Sequence, residues 1–175
     1  MAKIDLSSLK VLVVSVDAFG VNVLRVALHL ADIRDLTVSR DSESAIKLLR
    51  TEDFSALFCD GDQPDVGDLP FTVAVRRTEG VRNPSMPIFL VSTAPRQRVV
   101  SGARDLGVNA VLARPISAAV ITRKLSTAIN SPRSFIVTRD YFGPDRRFRD
   151  KRRGDGRRRR KTDQDETEGV VLVQP

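Results

Sequence analysis

Val11-Leu12-Val13-Val14, followed by the segment Phe19 to Ala31, decides the fold of this chain. The first is a short apolar run rich in β-branched residues and without polar alternation; the second repeats its apolar residues every three or four positions. A fully apolar strand leading into an amphipathic helix opens a β-α-β unit, whose parallel strands are covered on both faces. The rhythm continues along the chain. Further strands are expected at Leu36 to Ser39, Ala56 to Cys59, Ile88 to Ser92 and Ala110 to Ala113. Further helices are expected at Ser42 to Arg50, Asp68 to Arg77, Arg96 to Leu106 and Ala118 to Ile129. The stripe is clearest in Ser42 to Arg50, from Ala45, Ile46, Leu48 and Leu49, with Asp41 or Ser42 as its N-cap. The expected class is α/β, a doubly wound sheet of five parallel strands joined by right-handed crossovers.

The 175 residues, 41% of them hydrophobic, suit one domain of ordinary size plus an appendage. The net charge of +7 is concentrated in one place. Between Asp145 and Lys161, eleven Arg and Lys residues stand against three Asp, a surplus of eight, so the remainder of the chain carries −1. Composition changes at Asn130-Ser131-Pro132, a cluster that ends the last helix, giving a domain over residues 1–130 and a tail over residues 131–175. In the tail, Phe135 to Thr138 has strand character, Gly143-Pro144 is expected to turn the chain, and the arginine tract is too polar to fold alone. The apolar Val170 to Val173 is expected to pair with the sheet edge or with Phe135 to Thr138. Cys59, the lone cysteine, cannot form an internal disulfide, and no apolar run reaches the roughly 18 to 20 residues of a membrane span. With no secretory leader at the N-terminus, a cytoplasmic protein without membrane insertion is expected.

In doubly wound sheets, ligands sit beyond the carboxyl ends of the strands, near the point where strand order reverses. The residues expected there are Asp17 after the first strand, Phe58-Cys59-Asp60 with Pro64 four residues on, Ser92 closing the fourth strand and Arg114-Pro115 closing the fifth. This set resembles the CheY-like response-regulator receiver family over roughly Leu9 to Ile129. The resemblance implies a receiver, flavodoxin-like fold with Asp60 at the phosphoacceptor position, Ser92 at that of the switch hydroxyl and Pro115 at that of a cis-proline. Three departures stand against those matches. Ser15-Val16 occupies the place of the family's adjacent acidic pair, leaving only Asp17; Arg114 replaces the phosphate-contacting lysine; and Val111 stands at the switch aromatic. Magnesium needs hard oxygen ligands in near-octahedral array and Val16 supplies none, so neither a metal nor an enzymatic activity is expected. Asp60 has two readings, a phosphoacceptor or a strand-end carboxylate paired with Arg114. Asp62 and Asp65 have two readings, carboxylates that rebuild part of a metal site or, as is commoner, decoration of a solvated loop; Cys59 is expected to lie in the core, and His29 to be exposed or locally hydrogen-bonded.

The tail carries a more specific signal. From Arg146 to Lys161 there are nine Arg against Lys151 and Lys161, although an electrostatic arm could be built from either residue type. Arginine adds a planar fork of donors and the ability to stack, which suits guanine O6 and N7, base faces and phosphates. Acidic residues inside the tract sharpen this, because a carboxylate weakens polyanion binding unless it receives a donor of its own. Guanine N1–H and its exocyclic amine are such donors. Arg147-x-x-Asp150 and Arg152-x-x-Asp155 repeat the pairing, with Gly154 and Gly156 permitting close backbone approach. Tyr141, Phe142 and Phe148 are candidate stacking platforms. Asp145, Arg146, Arg149, Arg153 and the run Arg157, Arg158, Arg159 and Arg160 complete the candidate binding set.

A small ligand with two guanines and two phosphates is cyclic di-GMP, and the repeated Arg-x-x-Asp in an arginine tract behind a receiver-like domain resembles the Cle family of CheY-like cyclic di-GMP effectors. That resemblance implies cyclic di-GMP as ligand, a tail that orders around it, and docking at the flagellar motor switch protein. Two alternatives stand beside it: a phosphorylatable response regulator, and a basic arm that binds nucleic acid by counterion release. The last would tolerate loss of Asp150 or Asp155, whereas a guanine clamp requires them.

Overall fold

Strand, helix and cap follow one another as local chemistry dictates. The computed structural model describes residues 5–61, 63–94, 96–138 and 140–145, together with the backbone of residues 171–173. β1 (Lys10–Val14), β2 (Asp35–Ser39), β3 (Ala56–Asp60), β4 (Ile88–Ser92) and β5 (Ala110–Ala113) form a parallel sheet in the order β2-β1-β3-β4-β5. Between and after them run α1 (Ala18–Leu30), α2 (Ser42–Thr51), α3 (Phe71–Arg77), α4 (Gln97–Asp105) and α5 (Ala118–Asn130). Asp17, Asp41 and Ser117 are the N-caps of α1, α2 and α5, each side chain accepting a first-turn N–H that the helix cannot satisfy.

Side chains alternate across a strand, and here both directions are buried, which explains the absence of polar alternation in β1. Val11, Val13, Phe58, Phe89 and Leu112 pack with Leu24 and Leu28 of α1 and with Ile121 and Leu125 of α5. Leu12, Val14, Leu57, Ile88 and Leu90 pack on the other face with Ile46 and Leu49 of α2 and with Phe71 and Val75 of α3. The rings of Phe58 and Phe89 stack at 4.9 Å in the centre of the first layer. β1 is an interior strand whose neighbours β2 and β3 lie on opposite sides, so the crossovers reverse direction there and leave a crevice at the strands' carboxyl ends.

Two expected elements are displaced. α3 begins at Phe71 rather than Asp68, because Val66 and Leu69 exchange backbone hydrogen bonds around Gly67, whose φ of 59° suits glycine, and Pro70 then fixes the entry to the helix. Gly143-Pro144 does not turn the chain. It belongs to β7 (Phe142–Pro144), which pairs antiparallel with β6 (Phe135–Val137), while β8 (Val171–Val173) pairs with β6 from its other side. The turn lies earlier, where the Thr138 hydroxyl accepts from Tyr141 N–H at 3.0 Å and Thr138 N–H donates to Tyr141 O at 2.7 Å. Pro144 is tolerated because β7 is an edge strand of this three-stranded sheet.

This second sheet is seated on the domain. Phe135 and Tyr141 are buried, and Gly143 lies so close to Gly107, in the turn after α4, that a Cβ at Gly143 would stand 2.7 Å from the Gly107 Cα. A Cβ at Gly107, itself at φ 76°, would meet the Phe142 carbonyl oxygen at 2.8 Å. Two glycines therefore allow backbone to rest on backbone.

Candidate functional site

The crevice collects four of the expected residues. Asp60 ends β3, Ser92 ends β4, Arg114 follows β5 with a cis bond to Pro115, and Asp17 caps α1. One guanidinium joins the two carboxylates: Arg114 Nη1 donates to Asp17 Oδ2 at 2.8 Å and Nη2 donates to Asp60 Oδ1 at 2.5 Å. The hydrogen bond from Arg114 holds Asp17 below the ordinary carboxylate range, helped by the backbone N–H groups of Gly20 and Phe19. Burial pulls Arg114 down, but the Asp17 hydrogen bond and the Asp60 charge outweigh it and leave the guanidinium above its ordinary value. Of the two sequence readings of Asp60, the pairing with Arg114 is the one present here.

Gly20 makes the bridge possible. A Cβ there would overlap Arg114 Nη1 and would approach Asp17 Oδ2 at 2.5 Å and Arg114 Nη2 at 2.7 Å. Sequence reading passed over this residue; its signal was a glycine in the first turn of an otherwise ordinary helix, where alanine would add about 1 kcal/mol of helix stability. Ser92 Oγ accepts from Ala94 N–H at 3.2 Å, a local turn that keeps the hydroxyl near the crevice. Val16 is 70% exposed and offers no oxygen, and Asp17 and Asp60 already share a cation. The residues present therefore do not suit octahedral magnesium, and no cluster of three His, Cys, Asp or Glu side chains occurs among the described residues. Cys59 is buried in the core, where desolvation pushes its thiol up to about 12; His29 is exposed.

A second constellation lies where the tail leaves the domain. Arg76 of α3 is 2% exposed, yet its fork is filled: Nη1 donates to Pro84 O at 2.5 Å and Met86 O at 2.7 Å, Nη2 to Gly107 O at 3.0 Å and Asn109 Oδ1 at 3.0 Å, and Nε to Gly107 O at 3.3 Å. The guanidinium carbon stands 5.0 Å from the centroid of Phe135. Burial pulls Arg76 down to about 9, which leaves it charged at neutral pH. One side chain thus ties α3, the loop before β4, the turn after α4 and β6 together. Its only signal in sequence was a basic residue at a position of α3 that helical periodicity assigns to the apolar face.

Of the tail candidates, Tyr141, Phe142 and Asp145 are described. Tyr141 is 6% exposed, and its hydroxyl donates to Pro144 O at 2.8 Å. Phe142 packs edge-on against Phe135 at 6.0 Å, and Asp145 N–H donates to Ser134 O at 2.8 Å. Arg146, Arg147, Phe148, Arg149, Asp150, Arg152, Arg153, Asp155 and Arg157 to Arg160 lie outside the described residues.

Strand order and the crevice match one class of fold, that of response-regulator receiver domains. The chain is similar to the chemotaxis response regulator CheY4 of Vibrio cholerae, with 18% identity and a TM-score of 0.55 over 70% of this chain and 96% of that one. It is similar also to the receiver domain of a Pseudomonas aeruginosa sensor histidine kinase, solved with magnesium in its active-site cleft, with 23% identity and a TM-score of 0.59 over 70% and 98%. A response regulator from Desulfuromonas acetoxidans gives 11% and 0.61 over 70% and 97%. No protein-family model matches the sequence, and no curated protein matches it. No described helix is long and apolar enough to cross a membrane.

Proposed function

We propose that this chain is a non-enzymatic signalling effector of the Cle type, in which the arginine tract binds cyclic di-GMP and the receiver-type domain is the part presented to a partner, the flagellar motor switch protein. The observation that carries this reading is the Arg114 bridge. A guanidinium held by both Asp17 and Asp60 fills the place where a phosphorylated receiver would receive its phosphate and cation, so the domain's own switch is closed by its own charge. The input must then arrive elsewhere. The repeated Arg-x-x-Asp of the tract offers complementary partners to both edges of guanine and to phosphate, and β6 and β7, which precede it, rest on α3 and the turn after α4. Ordering of the tract around ligand would alter the surface beside that seat, at an entropic cost offset by charge-assisted contacts.

Calorimetric titration of cyclic di-GMP into the full chain tests the reading. Saturable binding is expected at moderate and high salt, and Arg147→Ala or Asp150→Ala is expected to weaken it at least tenfold. Binding that is indifferent to Asp150 and erased by salt would overturn it and identify a general polyanion arm. Phosphotransfer to Asp60 that is lost in Asp60→Asn would instead restore the phosphorylated-receiver alternative.

A further inference from the structure

α1 is apolar on two faces. Val21, Leu24 and Leu28 are buried in the core, as an amphipathic helix requires. The outer side of such a helix is ordinarily polar, and α2 follows that rule with Glu43, Lys47 and Arg50 exposed. α1 departs from it: Phe19 is 77% exposed, Val23 40%, Val26 59% and Leu30 75%. With Val16, in the loop that leads into the helix, they are five of the eight large hydrophobic side chains exposed among the described residues, and none belongs to either core layer. A helix apolar on both sides is suited to being covered on both sides.

The spacing says what kind of partner fits. Positions 19, 23, 26 and 30 step by four, three and four residues, the interval of paired helices, which sets the side chains in one stripe and reads the same from either end. A second copy laid antiparallel therefore presents the matching stripe, with Phe19 over Leu30 and Val23 over Val26, and brings opposite ends of the two helix dipoles together. Charge points the same way. α1 holds no Asp, Glu or Lys, and its one Arg, Arg25, falls about a third of a turn from the centre of the stripe, so an acidic or basic partner would find little to pair with. The exposed parts of the five side chains make roughly 500 Å² of apolar surface, toward the upper end of what a monomer leaves uncovered. Two copies would bury about 1,000 Å², the size at which a specific interface becomes stable.

We propose that this chain pairs with a second copy of itself through the exposed face of α1, antiparallel across a two-fold axis between Val23 and Val26. β6 rests on α3, across the sheet from α1, so the pairing does not depend on what the arginine tract binds.

Sedimentation equilibrium of the full chain without ligand, from low micromolar to about 200 μM, reads the pairing directly. The mass should rise from one chain toward two within that range. Val26→Glu should weaken association at least tenfold and, because this side chain belongs to neither core layer, should leave the melting temperature of the dilute chain unchanged or raised. Arg25→Glu, a larger change of charge off the stripe, should associate as the parent does. The register is read with cysteines, since Cys59 is buried: under a mild oxidant, Val23→Cys and Val26→Cys chains mixed together should form a disulfide-linked dimer faster than either chain alone. A single-chain mass at every concentration would overturn the proposal and assign the face to a different protein. A dimer indifferent to Val26→Glu would place the contact elsewhere and overturn it as well, and crosslinking as fast within either variant alone would overturn the antiparallel register.

Discussion

Replacing Arg76 by Met isolates what the buried guanidinium contributes. Methionine fills most of the same volume with an adaptable side chain, so the change removes donors more than it removes packing. Three carbonyls, of Pro84, Met86 and Gly107, lose the Arg76 donors, while Asn109 Oδ1 retains the N–H of Ile88 at 3.0 Å. The contact with the Phe135 ring is lost as well. Buried acceptors stripped of a charged donor cost about 1–3 kcal/mol each but not additively, which gives a loss of about 3–5 kcal/mol. For a chain of this size that corresponds to a fall in melting temperature of roughly 6–20 °C. The assay has a built-in local reporter, because Tyr141 is the chain's one tyrosine and there is no tryptophan. Tyrosine fluorescence should change in Arg76→Met before global unfolding, as β6 and β7 loosen from their seat, and Arg76→Lys should recover only part of the loss, since an ammonium lacks the fork. A melting temperature within about 2 °C of the parent, with tyrosine emission unaltered, would refute the role assigned to Arg76.

Three further outcomes are expected. Gly20→Ala should push Arg114 off its two carboxylates with little change in melting temperature, as suits a solvent-screened ion pair, and should shift the Asp17 and Asp60 carboxyl resonances; the same substitution added to Arg114→Met should leave those resonances where Arg114→Met put them. Asp17 should titrate below its ordinary value of 3.8 in the parent chain and closer to it in Arg114→Met. A carboxylate depressed by folding adds stability that is present above its unfolded value and lost as pH falls through the folded one, so the parent's advantage over Arg114→Met should shrink on acidification below about pH 4. Cys59, with its thiol pushed up to about 12 by burial, should resist a thiol-exchange reagent at pH 8 in the folded chain and react at once in urea; rapid reaction without denaturant would show that the β3 core opens.

Periodicity and caps alone determined the five parallel strands and their intervening helices to within a residue or two, apart from the displaced start of α3, because parallel strands buried on both faces and single-stripe helices leave direct traces in residue order. The crevice residues were legible for the same reason: Asp17, Asp60, Ser92 and Arg114 all sit where a strand ends. What sequence could not determine was which partner each charge would take. The Arg114 bridge spans residues 97 and 54 positions apart and depends on the missing side chain of Gly20. Arg76 reads locally as a charge on an apolar face, and only the convergence of the Pro84 to Met86 loop and the Gly107 turn on α3 supplies its carbonyls. Gly143-Pro144 reads locally as a turn; the strand it enters exists because Gly107 leaves room for it and β6 pairs with it. Local propensity is written in neighbouring residues, whereas the fate of a buried charge or a close backbone contact is settled only when the tertiary fold decides what else occupies the same space.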